Sequence, residues 1–314
     1  MRHLSHCRLI ILHSSLLLTG CSDEPSRPQN SSSEPRDPFA IPVFQNDWSV
    51  DGRALAVDGM GLVYVLPNSG SEIQIYSKTG EFLDTWDPTP ANEEFWPKYM
   101  DVTEGKFIFR ASGFPKPSLI VVFNNKREFV CEWFEKYRDD SVAGGTDLLG
   151  VGPDGCVYSL LFNEEAVVKY KQNGDFEREW LTHGSSPMGN NWPSGIVVGS
   201  GGVVFVSDTL HNRILKFSND GEYLGEFGEQ GQGDGQFSWP TCMARDEDGY
   251  LYIVDGGNYR IQKTRHSGEY LGQFEAGEYW WEPQFIVVKG DHVYVLVGNF
   301  QRDHFSVLHY KYNE

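Results

Sequence analysis

Gly195 to Gly228 reads GIVVGSGGVVFVSDTLHNRILKFSNDGEYLGEFG, and this stretch decides the fold. Gly195-Ile196-Val197-Val198 is a short, wholly apolar run, the pattern of a strand buried on both faces. Ser200-Gly201-Gly202 turns the chain into a second predicted strand, Val203 to Ser207. Arg213 to Phe217 and Glu222 to Phe227 follow as a third and a fourth. Between these last two, Asn219-Asp220-Gly221 is a tight hairpin signal, because Gly takes the positive φ of such a turn without steric cost.

Working outward, the unit repeats. Trp86, Trp133, Trp180, Phe227 and Phe274 are spaced 47 residues apart, as are Tyr76, Phe123, Tyr170, Phe217 and Thr264. Tyr158, Phe205 and Tyr252 share that step, with Tyr64 two steps before Tyr158. The hairpin glycine returns as Gly80, Gly174 and Gly268, and only the second unit lacks it, having Asn125-Lys126. Three ladders in one phase make the repeat, and units of four short antiparallel strands at this period describe propeller blades. Six units are counted: 51–86, 95–133, 146–180, 192–227, 239–274 and 283–314. The predicted fold is all-β, a six-bladed β-propeller of four-stranded antiparallel blades. The sixth unit stops after its third strand. Residues 39–45, with Phe39 placed 47 before Trp86, are expected to supply its missing outer strand and close the ring.

Trp239-Pro240-Thr241 through Asp246-Glu247-Asp248-Gly249 to Gln262 resembles an NHL repeat, and so does Pro193 to Phe217. The first, third and sixth units keep strands and turns but lose the Asp and Arg of the motif, and the second is the most degenerate. The resemblance implies an NHL-type six-bladed propeller over residues 39–314.

The start of the chain reads as targeting. Arg2 and Arg8 precede an apolar run, Leu9 to Leu18, of secretory length and too short for an ordinary membrane span. Leu18-Thr19-Gly20-Cys21 resembles the bacterial lipobox, which implies a lipoprotein signal peptide over 1–20 and lipidation at Cys21. Residues 21–38, rich in Ser and Pro, are expected to form a disordered tether. At roughly 3 Å per residue it reaches up to about 50 Å from the anchor. The expected location is therefore the cell envelope, exported and lipid-anchored. By resemblance to Gram-negative lipoproteins, Ser22 favours the outer membrane in such a host.

The formal net charge is −18 over 314 residues, and the first twenty carry only basic charge, so the exported part is more acidic still. Such a surface repels phosphate backbones and argues against a nucleic-acid partner. Cys131, Cys156 and Cys242 lack metal-ligand spacing and read as small buried apolar residues.

In such propellers the loops leading into the inner strands share one face with those joining second to third strands. Trp96-Pro97, Trp192-Pro193 and Trp239-Pro240 fall there, and the last unit has Trp281. Tryptophans ringing a concave mouth stack on sugars or apolar side chains; alternatively, Pro sets the loop and Trp packs between blades. The pairs Asp208/Arg213 and Asp255/Arg260 recur 47 residues apart, which argues for a structural role bridging blades over a catalytic one. Some related propellers are metal-dependent lyases of the peptidyl-hydroxyglycine amidating type, with ligands on inner strands. Here no His falls in a predicted inner strand, and His183, His211 and His304 lie in irregularly placed loops of the mouth face. No metal site, catalytic set or cofactor is therefore predicted. The expected role is a membrane-anchored binding or scaffold module presenting a propeller face to a peptide, glycan or protein. The alternative is a hydrolase or lyase at the same mouth.

Overall fold

The computed structural model describes residues 37–89, 97–103, 105–111, 118–135, 148–162, 164–182, 192–277, 282–299 and 304–313. Six four-stranded antiparallel sheets stand in a ring, each inner strand packing against the inner strands of the two neighbouring sheets. Blade 1 is Ala54–Val57, Val63–Leu66, Ile73–Tyr76 and Phe82–Trp86. Blade 2 is Pro97–Thr103, Lys106–Ala111, Leu119–Asn124 and Phe129–Phe134. Blade 3 is Leu148–Val151, Val157–Leu161, Ala166–Tyr170 and Phe176–Leu181. Blade 4 is Pro193–Val198, Val204–Asp208, Arg213–Phe217 and Tyr223–Phe227. Blade 5 is Pro240–Arg245, Leu251–Asp255, Arg260–Thr264 and Tyr270–Glu275. Blade 6 takes Glu282–Lys289, His292–Asn299 and His304–Lys311 from the C-terminal end and Val43–Val50 from the N-terminal end. Among the described residues no helix is long and apolar enough to cross a membrane.

The period of 47 has a packing cause. In blades 3, 4 and 5 the aromatic residue of the preceding outer strand lies on the hairpin glycine, whereas Phe274 meets Tyr310 of blade 6 instead, with ring centroids 4.8 Å apart. A Cβ added at Gly174 would stand 2.6 Å from Trp133, at Gly221 2.7 Å from Trp180, and at Gly268 2.5 Å from Phe227. These glycines also hold positive φ, +85°, +82° and +94°, so both backbone and space require them. Blade 2 solves the same contact differently. Arg127 takes the positive φ, 64°, and its guanidinium lies 5.7 Å from the centroid of Trp86, a cation–π contact in place of glycine.

The ring is closed by an N-terminal strand, as expected, but in a different phase. Val43–Val50, not 39–45, pairs antiparallel with His304–Lys311. Trp48 rather than Phe39 meets Gly80, where an added Cβ would stand 2.5 Å from the indole. The cause is a short connection: only residues 51–53 separate the closing strand from the first inner strand, so the step to Trp86 is 38 residues, not 47. The earlier part of the expected segment crosses blade 5 instead. Asp37 caps a turn through Phe39, Ile41 lies against Gly272, and the ammonium of Lys263 donates to the Ala40 carbonyl at 3.2 Å. Lys263 is fully buried among the rings of Tyr250, Tyr252 and Tyr312.

Candidate functional site

Two corners of identical build stand side by side on the face where the chain enters the inner strands. At each, a Trp in left-handed backbone conformation precedes Pro: Trp192 at φ 45° and Trp239 at φ 56°. A bulky side chain there is sterically disfavoured. The loop between second and third strands of blade 4, Thr209 to Asn212, fills the space between the corners. Thr209 N–H donates to the Trp192 carbonyl at 3.3 Å, and the Asn212 side-chain oxygen accepts the Trp239 N–H at 2.8 Å. The Thr209 hydroxyl donates to the Pro240 carbonyl at 2.6 Å and also meets the Ser194 hydroxyl.

With the backbones so held, the indoles point outward. Trp192 is 42% exposed and Trp239 53%, with ring centroids 6.1 Å apart and planes at 65°. Phe162 of blade 3 lies 6.3 Å from Trp192, and Leu210, 42% exposed, stands on the loop between the corners. Three large exposed apolar side chains in one spot form a patch of the kind that marks a binding surface. Phe162 and Leu210 were not legible as site residues; a hydrophobic residue in the otherwise polar Asp-Thr-Leu-His-Asn loop is the signal that could have found Leu210. The other two expected rim residues, Trp96 and Trp281, lie outside the described residues, as do Cys21 and His183.

Asp208 anchors the loop from beneath. Fully buried, it accepts from the Arg213 guanidinium at 2.8 Å and from His211 Nδ1 at 2.9 Å, and Arg213 also grips Glu226 at 2.8 Å. These contacts fall within blade 4. In blade 5, Asp255 pairs with Arg260 at 2.7 Å, and the pair reaches the connection from blade 4: Asp255 accepts the Ser238 N–H, and Arg260 donates to the carbonyls of Gln232, Gly233 and Gln236. Blade 2, where the motif is lost, carries a different buried pair. Arg110 donates to Glu135 at 2.7 Å and to Ser118, and Ser159 of blade 3 donates to the other Glu135 oxygen.

The central channel opens on the opposite face. Its volume is about 670 Å³, and it is lined by the far ends of the inner strands and by first turns such as Gly152–Gly155. Tyr99 and Phe285, with ring centroids 5.5 Å apart, lie at its deeper end. Asp101 of blade 2 and Arg245 of blade 5 are charged side chains within it. Burial in these apolar walls pushes the Asp101 carboxyl up to about 6, against the pull of Arg245.

His211 sits on the Trp face, 32% exposed, with Nδ1 turned to Asp208. His304 begins the third strand of blade 6 and is exposed. Among the described residues no group of three or more His, Cys, Asp or Glu is arranged to hold a metal ion. The three described cysteines are free thiols, Cys131 and Cys242 buried and Cys156 half-buried.

The fold and corners define the class: a six-bladed β-propeller of four-stranded blades. Within it, residues 190–217 match the NHL repeat. No curated protein matches the chain in sequence. Solved structures share the fold. A streptogramin B lyase is 15% identical, with a TM-score of 0.56 over 86% of this chain and 88% of its own. Virginiamycin B lyase from Staphylococcus aureus, solved with quinupristin, is 17% identical, with a TM-score of 0.56 over 81% and 78%. The aldose sugar dehydrogenase of Streptomyces coelicolor is 10% identical, with a TM-score of 0.53 over 87% and 100%. At these identities the likeness is one of fold.

Proposed function

We propose that this propeller is a binding module of the cell envelope, tethered through Cys21, which captures a peptide, glycan or protein partner on the Trp192–Trp239 patch. The observation that carries the reading is the exposure of two tryptophans, 42% and 53%, on backbones held in a disfavoured conformation. Strain retained at a solvent-facing aromatic pair points to use rather than packing. Planes at 65° form an open angle into which a sugar face or an apolar side chain fits against both rings. The test uses the full lipidated chain in detergent against arrays of envelope glycans and peptides. Trp192→Ala with Trp239→Ala is expected to abolish capture while the melting profile holds. Unchanged capture would remove the patch as the ligand face.

A second reading, a lyase or hydrolase on the same face, draws on one arrangement. Buried Asp208 orients His211 through Nδ1, and the imidazole is 32% exposed, the placement a general base needs. Likeness to streptogramin B lyases gives a first substrate to try, quinupristin. Turnover lost in His211→Ala supports chemistry, and no turnover by the wild type sinks this version of it.

A further inference from the structure

The pairing register aligns the inner strands of all six blades against the aromatic ladder of the second strands. Ala56 faces Tyr64, Val102 faces Phe107, Gly150 faces Tyr158, Val197 faces Phe205, Ala244 faces Tyr252 and Val287 faces Tyr294. One residue earlier lies a ring of Leu55, Asp101, Leu149, Ile196, Met243 and Ile286; one residue later lies Val57, Thr103, Val151, Val198, Arg245 and Val288. All twelve line the channel. Each ring therefore holds a single charge among apolar residues or a threonine. The two stand in blades 2 and 5, diametrically opposite in a ring of six.

A charge in such a wall is costly unless partnered. The other charged groups lining the channel have partners: Asp246 takes Tyr252 and the Tyr250 N–H, Glu247 pairs with Lys289, Lys106 reaches Gln172, and Asp154 caps its turn. Among the described residues Asp101 accepts only backbone N–H groups, that of Val102 at 2.7 Å and that of Val151. The Arg245 guanidinium has no hydrogen bond or ion pair among the described residues, and Asp101 is not within ion-pair distance of it.

We propose that the channel binds short peptides with free termini, their carboxylate on Arg245 and their ammonium on Asp101. Both termini meet the charge type that recognises them. The apolar side chains of the peptide lie on blades 3 and 4 at one side and blades 6 and 1 at the other. The two groups are offset by two residues along the strand, about 7 Å, in addition to standing across the ring from one another. The span between them therefore favours a short extended peptide, at about 3.3–3.6 Å per residue, over a single amino acid. A volume of about 670 Å³ accommodates such a ligand. Each inner strand pairs only with its own second strand, so its channel edge is left to hydrogen-bond the peptide backbone. This site is separate from the Trp patch and on the other face.

Titration calorimetry of the full chain with L-leucyl-L-leucine tests it, with the N-acetyl and C-amide forms as comparisons. Saturable one-to-one binding is expected, weakened at least tenfold by either blocking group. Arg245→Gln and Asp101→Leu should each weaken it at least tenfold. Arg245→Gln should in addition lose discrimination against the amide, and Asp101→Leu against the acetyl form. Asp101→Leu restores an apolar ring, so its fold is expected to hold. No saturable binding to the wild type, or binding indifferent to both substitutions, overturns the proposal. Binding abolished by Trp192→Ala and untouched in Arg245→Gln would move the peptide to the Trp face and also overturn it.

Discussion

Lowering the pH should weaken the seam of the ring through one histidine. His309 lies on the third strand of blade 6, directly opposite Asn46 of the closing strand and Tyr294 of the second strand. Its ring is buried, with Nε2 2.7 Å from His292 Nδ1 and Nδ1 3.0 Å from Asn46 Oδ1. The Asn46 amide nitrogen donates to the Thr79 carbonyl, which leaves its oxygen to accept from His309. His309 is then protonated on Nδ1, and Nε2 accepts from His292. A second proton on His309 would turn N–H against N–H. Burial first, then His292 and Lys311, hold the imidazole down to about 4. Lys78 acts on His292 in the same direction, and Asp291 opposes it.

The sign and size follow by linkage. As pH falls below 6.5 the unfolded chain binds a proton that folded His309 refuses until about pH 4. The stabilisation is therefore complete above 6.5 and is lost on the way down to 4, about 1.4 kcal/mol per unit and about 3 kcal/mol in all. Asp101 works the other way between about 6 and 3.8, because its raised carboxyl gains stability on acidification. Raw acid curves therefore mix opposing contributions, and the informative quantity is a difference. His309→Gln keeps a donor and an acceptor but cannot titrate. Urea unfolding of both proteins, followed by tryptophan fluorescence at half-unit steps, should show the wild type losing about 3 kcal/mol relative to the variant between pH 7.5 and 4. A flat difference would refute the reasoning.

Two further predictions probe the packing. Gly221→Ala meets both a positive φ and the Trp180 ring, whereas Gly201→Ala meets a positive φ, +87°, with nothing within 4 Å. Urea midpoints should place the first about 1–3 kcal/mol below the second, and equal losses would mean that the ring simply moves aside. Arg110→Met strands the buried Glu135 carboxylate and should cost about 3–5 kcal/mol, most of it recovered by adding Glu135→Leu. Failure of the double variant to recover in thermal unfolding would place the pair's value in something other than charge compensation.

The blades were legible because they are local: apolar runs, hairpin glycines and aromatic residues recur at 47, and blades 1, 3, 4 and 5 repeat the same ring-on-glycine contact. The seam was misphased because its contact depends on a connection of three residues, which no periodicity reports. Blade 2 looked degenerate because its ion pair joins Arg110 to Glu135 instead of bridging second strand to third; the replacement lies 25 residues apart and has no repeat signature. Asp101 and Arg245 sit in plain view within Met-Asp-Val and Ala-Arg-Asp. Their meaning needed a register good to one residue across six strands, and a slip of one turns a side chain to the other face.

The tryptophans raise a question that composition could not decide, since Trp-Pro serves equally for packing and for display. The backbone separates the two. A left-handed conformation at a non-glycine residue costs on the order of 1–3 kcal/mol, and rings left half in water recover only part of that through burial. Trp239→Gly removes the ring and relieves the strain together. If the indole serves display, the variant should be as stable as the wild type or somewhat more so, and should lose capture of any ligand held on this face. If the indole is core, its truncation should cost about 3–5 kcal/mol. Chemical unfolding distinguishes the two before any ligand is known, and a loss of that size would return Trp239, and with it Trp192, to the packing of the ring.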